Sequence, residues 1–291
     1  MGESVIWVSE YRGQTALVTG ASSGIGLALA DGFASRGADV VIAALPDEKL
    51  PAAAAWLRQR HPVTVHEIAI DLSAENGPDT LAKRVAELGL TIDILINNAG
   101  FGQHGYYHEL DQELHHREVM LLCAAVERMT RIFLPGMLER DRGTLINLSS
   151  VQAFQAVPHM AVYGAAKAFV LSFTTALWAE YHGRGVKIMT LCPAQTDTDF
   201  FEGLGYEVAT GGRLRTPDEV VATAFRGLKR GAPYAIDGWR HRLAANAPRF
   251  LPRGLVARIT QKVLHPSKMT RPAKPARQLP APATEAARPA A

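Results

Sequence analysis

The sequence has few cysteines and lacks long apolar runs, and each shortage excludes a class of protein. Of 291 residues only Cys123 and Cys192 are cysteines, and they are far apart with no metal-binding or redox spacing. This pattern argues against a disulfide framework and favours a reducing compartment. No run of about 18 apolar residues is present, so the sequence predicts no membrane-spanning helix.

Targeting and metal-binding signals are also scarce. The N-terminus lacks the basic start and apolar run of a signal peptide, and Ile6 stands where a myristoylation motif requires Ser or Thr. A cytoplasmic protein is therefore expected. The ten histidines have no helical E-x-x-H or C-x-x-C partners, which predicts no metal site.

Charge is distributed unevenly along the chain. Residues 240–291 hold 11 of the 31 Lys and Arg residues and one acid, Glu285, which gives this segment a net charge of +10. The preceding 239 residues hold 20 basic and 27 acidic residues, a net charge of −7. The acidic body offers no basic stripe for nucleic acid, whereas the basic segment can meet an anionic surface.

Short apolar runs alternate with helical patterns over most of the chain. Strands are predicted at 15–19, 39–43, 63–70, 92–97, 143–149, 187–191 and 234–236. Helices are predicted at 25–36, 50–60, 78–88, 114–138 and 161–181, with another beginning at Pro217. This alternation predicts an α/β fold, a Rossmann-type doubly wound parallel sheet of about seven strands in three αβα layers. The ligand crevice of such a sheet lies at the carboxyl ends of its strands.

A basic amphipathic helix is predicted over 252–264. Its apolar positions are Leu255, Val256, Ile259, Val263 and Leu264, and the basic Arg258 and Lys262 lie opposite. Such a helix can lie on an anionic membrane surface as a peripheral contact, or it can pack on the body of the protein or on a second subunit. From His265 onward the chain is rich in Pro and Ala, which predicts disorder.

A glycine-rich turn follows the first predicted strand and opens the first predicted helix. The turn reads TGASSGIG and includes Gly20, Ser22, Ser23, Gly24, Ile25 and Gly26. Glycines let the backbone approach a pyrophosphate, and the helix N-terminus supplies free N–H groups and a positive dipole end. The strand–turn–helix context favours a nucleotide site over an ordinary turn.

Tyr163 and Lys167 lie four residues apart and therefore share one face of a predicted helix. A phenol with a pKa of about 10 is a poor acid or base at neutral pH, and a neighbouring cation is expected to lower that pKa. The pair alone is weak evidence for a catalytic site, because the same spacing occurs on many helix surfaces. Ser150, 13 residues before Tyr163, is a candidate partner, although Ser149 is adjacent to it.

With these residues the chain resembles the short-chain dehydrogenase/reductase family, in its single-domain form with TGxxxGIG and YxxxK motifs. Further matching segments are Asp71-Leu72, Asn97-Asn98-Ala99-Gly100 and 193–198, which reads PAQTDT where the family usually reads PGxxxT. Five motifs occur in the expected order and spacing, and the resemblance covers about residues 12–240.

The resemblance implies an oxidoreductase that uses NADP or NAD to interconvert a ketone or aldehyde and an alcohol. Tyr163 would be the acid/base, Lys167 would hold the nicotinamide ribose, and Ser150 would hydrogen-bond the substrate oxygen. The implied cofactor-binding residues are Gly20, Ser22, Ser23, Gly24, Ile25, Gly26, Asp71, Leu72, Asn98, Ala99, Gly100, Tyr163, Lys167, Pro193, Thr196 and Thr198. A small-molecule substrate and a homodimer or homotetramer are implied as well.

The predicted organisation follows from the extent of the resemblance. Residues 1–240 would form an NAD(P)-binding Rossmann-fold catalytic domain. Residues 241–264 would form a basic amphipathic extension, and residues 265–291 a disordered Pro/Ala-rich tail.

The chain departs from the family at two places. Leu122 stands where the family has an Asn that supports a water relay to the Lys, which leaves a nucleotide-binding scaffold or sensor with weak catalysis as the alternative function. The second predicted strand ends at Ala44-Leu45, without the acid that favours NAD or the Arg that favours NADP. Absence of the acid, with Ser22 and Ser23 nearby, favours NADP slightly.

An apolar substrate pocket is predicted from the residues around the catalytic pair. The candidate substrate-binding residues are Phe101, Phe154, His159 and Met160. Residues 199–206 are aromatic and contain glycines, which is typical of a lid that closes over a substrate. A hydrophobic ketone or alcohol is the expected substrate, and ordinary loop packing is the alternative for each aromatic residue.

Overall fold

The computed structural model describes residues 10–200 and 213–266. Within these residues seven parallel strands form one sheet in the order β3-β2-β1-β4-β5-β6-β7. The strands are β1 (Thr15–Thr19), β2 (Asp39–Ala44), β3 (Val65–Ala69), β4 (Ile94–Asn97), β5 (Gly143–Leu148), β6 (Val186–Cys192) and β7 (Tyr234–Ile236). The predicted doubly wound sheet is confirmed.

Helices cover both faces of the sheet. They are α1 (Gly24–Ala34), α2 (Lys49–Arg60), α3 (Gly77–Glu87), α4 (Gln112–Val119), α5 (Ala125–Glu139), α6 (Ala161–Glu180), α7 (Pro217–Arg230), α8 (Trp239–Asn246) and α9 (Arg253–Val263). Two apolar cores result, because alternate residues of each strand point to opposite faces. On β1, for example, Ala16 and Val18 belong to one core and Leu17 to the other.

The sheet order reverses direction at β1, which has β2 on one side and β4 on the other. Strands that follow β1 in sequence extend to one side through β2 and β3, and later strands extend to the other. Loops leaving the carboxyl ends of β1 and β4 therefore diverge, and a crevice opens between them. This topological switch point is where the sequence places its glycine-rich turn.

The long helix predicted over 114–138 is interrupted. Residues Met120–Ala124 form a π-helical segment between α4 and α5, and Asp111 caps α4 by accepting a hydrogen bond from the Leu114 N–H at 3.0 Å. A π turn carries about one more residue than an α turn, so it rotates the residues on either side relative to each other. The apolar pattern could not show this, because the same residues suit a continuous α-helix.

Helix α6 is long and apolar enough, by length and composition, to cross a membrane, and it is the one such helix among the residues described. It nevertheless packs against β5 and β6, and both Tyr163 and Lys167 on it are buried. We therefore interpret α6 as a core helix of the fold.

Helix α9 covers the amphipathic segment predicted over 252–264. Val256, Thr260 and the following Leu264 are buried, whereas Leu255, Ile259 and Val263 remain about half exposed. The helix thus packs one edge on the body and leaves an apolar edge uncovered. The predicted disordered tail lies outside the described residues except for its first two, and the lid predicted over 199–206 does so except for Asp199 and Phe200.

Candidate active site

A cleft of about 490 Å³ opens along the carboxyl edge of the sheet, and the loops after β1, β4, β5 and β6 line it. All sixteen residues predicted to bind the cofactor line this cleft: Gly20, Ser22, Ser23, Gly24, Ile25, Gly26, Asp71, Leu72, Asn98, Ala99, Gly100, Tyr163, Lys167, Pro193, Thr196 and Thr198. Ser150 lines it too. The structure therefore brings the predicted motifs together, while their individual roles stay predictions.

The glycine-rich turn is packed so tightly that side chains would not fit. Gly20 has a φ of 64°, and a Cβ on it would lie 2.7 Å from the Ala99 Cα. A Cβ on Gly26 would lie 2.3 Å from the Gly20 carbonyl oxygen. The Asn98 side chain fixes the turn by donating hydrogen bonds to the carbonyl oxygens of Thr19 and Gly20, at 2.8 and 3.1 Å.

The turn leads directly into the N-terminus of α1. Ser23 is the N-cap residue and has an extended backbone, and its side chain makes no capping hydrogen bond. The first N–H groups of α1 therefore face the cleft at the positive end of the helix dipole. Such a backbone cradle fits a pyrophosphate.

Asp71, predicted to contact an adenine, is held by its neighbours. Its carboxylate accepts hydrogen bonds from the Ser73 N–H at 2.8 Å, from the Ser73 hydroxyl at 2.6 Å and from the Arg117 guanidinium at 2.5 Å. Arg117 is itself buried and lines the cleft. Sequence reasoning missed this arginine, which places a positive charge beside the predicted nucleotide site.

Ser150, Tyr163 and Lys167 are all buried at the other end of the cleft. The Lys167 Nζ lies 5.5 Å from the centroid of the Tyr163 ring and donates a hydrogen bond to the Leu148 carbonyl at 2.9 Å. The neighbouring Ser149 is occupied elsewhere, since its hydroxyl donates to the Lys167 carbonyl at 2.7 Å. Because the Ser149 hydroxyl already donates its hydrogen bond within the protein, Ser150 is favoured over Ser149 as the residue that faces a substrate.

The acid/base properties of the pair differ from the sequence-based expectation. Burial raises the pKa of the Tyr163 phenol above its usual range, and the Ser150 hydroxyl opposes this rise. Burial likewise lowers the pKa of Lys167 to about 8. The pKa of Tyr163 is thus raised rather than depressed in this structure, because removal of the phenol from water outweighs the opposing hydrogen bond of Ser150. The phenol is consequently neutral and carries its proton at neutral pH.

A second residue that sequence reasoning missed is Glu118, which is only 1% exposed. Burial raises the pKa of its carboxyl to about 8, and Lys167 opposes this rise. The sequence did contain a feature that could have indicated the burial of Glu118. Glu118 lies four residues after Leu114 and three before Leu121, so it falls on the apolar face of the predicted helix.

The four candidate substrate residues divide into two pairs. Phe101 and Met160 line the cleft, and Phe200 joins them by packing on Tyr163 with ring centroids 5.5 Å apart. Phe154 instead packs on Tyr234, and His159 lies among His104, Tyr106 and His265. Among the residues described, Phe154 and His159 are not part of the cleft wall, so their predicted role gains no support from their position.

Comparison with known proteins agrees with this geometry. A family model for short chain dehydrogenase matches residues 14–208. The chain therefore belongs to the short chain dehydrogenase family.

A curated relative is about a third identical to the chain over the aligned residues. The very-long-chain 3-oxoacyl-CoA reductase of Bos taurus is 32% identical over 191 residues, which cover 64% of this chain and 60% of the relative. The chain thus matches less than two thirds of the length of that curated relative.

Two solved structures match over most of their length. A short-chain dehydrogenase from Sphingobium yanoikuyae in complex with NADPH is 33% identical with a TM-score of 0.74, covering 84% of this chain and 95% of that one. A short chain dehydrogenase/reductase from Burkholderia phymatum in complex with NAD is 25% identical with a TM-score of 0.74, covering 83% and 94%.

Proposed function

We propose that the protein is an NAD(P)-dependent oxidoreductase that interconverts a ketone or aldehyde and the corresponding alcohol. One observation carries the proposal. A single cleft joins a glycine-built cradle at one end to the buried trio Ser150, Tyr163 and Lys167 at the other.

The described residues fit a nicotinamide dinucleotide. Any side chain larger than that of glycine at Gly20 or Gly26 would collide with backbone, so the turn keeps its shape only with glycine at these positions. That shape leads into the N-terminus of α1, where a pyrophosphate would bind. Lys167 would hold the nicotinamide ribose, and Thr198 would contact the carboxamide. When bound, this cofactor supplies or accepts the hydride.

The protein's own residues supply the proton and the orientation. Tyr163 donates its phenolic proton to the carbonyl oxygen during reduction and removes a proton from the alcohol during oxidation. Its burial keeps the phenol protonated and ready to donate, because the charged form is disfavoured away from water. Ser150 donates a hydrogen bond to the same oxygen and so fixes the pose of the substrate.

Apolar side chains around Tyr163 support a hydrophobic substrate. Phe101, Met160 and Phe200 line the cleft beside the phenol, and Leu110 and Val151 extend the apolar surface. The bovine relative, named a very-long-chain 3-oxoacyl-CoA reductase, is consistent with a carbonyl group on an apolar chain.

The cofactor preference that we propose is NADP over NAD. Ala44, the last residue of β2, lines the cleft and carries no charge to repel a 2′-phosphate, and the hydroxyls of Ser22 and Ser23 can donate to one. The solved relatives include one complex with NADPH and one with NAD. Titration of both reduced cofactors tests the preference, and NADH binding at least about tenfold tighter would reverse it.

The decisive experiment for the function is a substrate screen. Purified protein is mixed with NADPH or NADH and a panel of ketones, aldehydes and the matching alcohols, and absorbance of the reduced cofactor is followed. We expect turnover with apolar carbonyl compounds. Cofactor binding without oxidation by any member of the panel would instead favour a nucleotide-binding scaffold.

We further propose a homo-oligomer formed through α5 and α6. Phe169 and Phe173 on α6 stack with ring centroids 5.6 Å apart, and Phe169 is 40% exposed. This apolar surface on a core helix supports pairing with a second copy. Light scattering on the eluting protein tests it, and Phe169→Glu should shift the mass toward that of a monomer.

A cytoplasmic location with peripheral membrane contact is the remaining proposal. Cys123 and Cys192 are free, in keeping with a reducing compartment. Trp239 and Phe250 are strongly exposed and lie in the same basic segment as the uncovered edge of α9. Co-sedimentation with phosphatidylserine vesicles should be weaker for Ile259→Glu than for the wild type, and equal binding would dismiss the contact.

A further inference from the structure

Glu118 is a buried carboxyl for which the proposed reaction has so far no use. It is the penultimate residue of α4, and its Oε1 has no hydrogen-bond partner among the residues described. Burying an unpaired polar atom destabilises a fold, so native structures rarely keep one without a reason. The catalytic site lies directly beside it.

Glu118 lies beside Gly102, which is a residue of the cleft wall. A Cβ on Gly102 would lie 3.4 Å from the Glu118 Oε1 and 3.0 Å from the Tyr163 Cδ2, and Gly102 itself lines the cleft. The neighbouring Gly100 has a similar position, 3.7 Å from the Lys167 Nζ by the same measure. Glu118, Tyr163 and Lys167 therefore surround one short glycine-containing loop.

Three ionisable groups among the residues described, Lys167, Tyr163 and Cys123, interact electrostatically with Glu118. The pKa values of Glu118 and Lys167 both lie at about 8, so the two groups gain and lose protons over one pH range and titrate as a pair. Burial thus brings the proton affinities of the carboxyl and the amine closer together than they are in water.

The reaction itself requires a proton at this place. In each reduction the O–H bond of Tyr163 breaks and its proton moves to the carbonyl oxygen, which leaves a buried phenolate. Lys167 can reprotonate that phenolate, but the resulting neutral amine must then recover a proton. Leu122, which packs beside Gly100 and Lys167, has no polar group to pass one on.

We propose that Glu118 is a proton-relay residue that acts on Tyr163 through Lys167, an inference that rests on the proposed function. Glu118 and Lys167 form no direct ion pair in the part of the chain described, so a water molecule would bridge them. During reduction the Glu118 carboxyl O–H bond breaks and its proton moves to that water, which releases one of its own protons to the Lys167 amine. Lys167 has passed its own proton to the Tyr163 phenolate, and the Glu118 carboxylate regains one from water. During oxidation each transfer runs in the opposite direction.

Glu118→Gln tests the relay, because it keeps the size of the side chain but cannot release a proton. Stopped-flow mixing of enzyme, reduced cofactor and a ketone should show a first turnover within about twofold of wild type, followed by a steady state about tenfold slower. The solvent deuterium isotope effect on kcat should rise. Glu113→Gln, an exposed change on the same helix, should match wild type in both measurements.

The pH profile separates a relay from mere packing. Glu118 raises the pKa of Lys167, so Glu118→Gln should move the alkaline limb of kcat to lower pH. Glu118→Asp, which keeps an ionisable carboxyl, should restore most of the steady-state rate. Equal slow rates for the Asp and Gln variants with an unmoved limb would assign Glu118 a structural role and overturn the relay.

A measurement without turnover checks that Glu118 holds its proton. The native carboxyl keeps the proton to about pH 8, whereas an unfolded one releases it near its ordinary value of 4.5. Wild-type stability should therefore fall as pH rises across that window, and the Gln variant lacks this fall. The Tm of Glu118→Gln minus that of wild type should increase from pH 5 to pH 8, and the Glu113→Gln difference should stay flat.

The possible failures can be told apart. No oxidation of either cofactor by wild type would remove the proposed function and the relay together. Turnover by wild type, with Glu118→Gln unchanged in steady-state rate and isotope effect, would remove the relay alone. A Tm difference that is constant across the pH window would also contradict it.

Discussion

The two ends of the cleft are built from different materials. The nucleotide wall, which comprises residues 19–26 and Asn98, is made of backbone and small side chains fixed by hydrogen bonds. The catalytic wall, which comprises Ser150, Tyr163 and Lys167, is made of polar side chains withdrawn from water, and the buried Glu118 lies beside it. Under the proposed function, cofactor binding would therefore depend on the backbone shape that glycine permits, whereas proton transfer would depend on the pKa values that burial sets.

The largest effect of a single substitution is expected in the catalytic wall, where it lowers kcat. Tyr163→Phe removes the phenolic proton and should lower kcat by about 10²- to 10⁴-fold, the range for loss of a general acid. Affinity for the reduced cofactor, measured by fluorescence titration, should change little, because the nucleotide wall is untouched. Tyr107→Phe, at a residue that is 69% exposed, is the control and should keep full activity.

The next largest effect is expected in the nucleotide wall, where a substitution lowers cofactor affinity. Gly26→Ala forces a Cβ to within 2.3 Å of the Gly20 carbonyl, so the turn must shift, and cofactor affinity should fall by at least about tenfold. Gly254→Ala in α9 places its Cβ in open space and should leave affinity unchanged. If Gly26→Ala bound the cofactor normally, the cradle would not be the pyrophosphate site.

A charge placed at the edge of the nucleotide wall should change selectivity more than total binding. Ala44→Asp puts a carboxylate beside the expected 2′-phosphate and should weaken NADPH binding by about tenfold, equivalent to about 1.4 kcal/mol. NADH affinity should stay equal or improve. Ala52→Asp adds the same charge on an exposed part of α2, and an equal loss there would show a general charge effect.

The smallest effect is expected at Leu122. Because its side chain packs close to Gly100 and Lys167, Leu122→Asn places an amide within reach of the amine and should leave kcat unchanged or raise it. Leu122→Ala is the control, because it removes the leucine side chain without adding an amide. Comparing the two variants separates the effect of the polar group from the effect of lost packing. A large loss of kcat in the Asn variant, with an unchanged Tm, would mean that catalysis in this protein requires an apolar residue at position 122.

The nucleotide wall could be predicted from the sequence because its tight backbone packing requires a particular residue type, glycine, at particular positions. A glycine is obligatory wherever a Cβ would strike backbone, so Gly20 and Gly26 mark the turn by themselves. Strand bounds were predictable for a similar reason, since buried parallel strands must be apolar on both faces. β1 lies at the predicted residues, whereas β3 and β4 each begin two residues later than predicted.

The catalytic wall was predicted in part. The spacing of Ser150, Tyr163 and Lys167 indicated which residues meet, but not the direction of their pKa shifts, which depend on how completely the fold excludes water. Glu118 was missed because a charged residue on a helix is by default assigned to solvent. Phe154 shows the opposite case, since this aromatic residue is near the catalytic residues in sequence but packs on Tyr234.

The π-helical segment Met120–Ala124 sets which side of α4 faces the trio Ser150, Tyr163 and Lys167. A π turn holds about one residue more than an α turn, and successive residues of an α-helix are rotated by about 100°. Rewinding this segment into a regular α-helix without a deletion would therefore turn α4 by about that angle relative to α5, and the carboxyl of Glu118 would leave its buried position. In this fold the acidity near an active site thus depends on one irregular helical turn, which the recognisable sequence motifs do not encode.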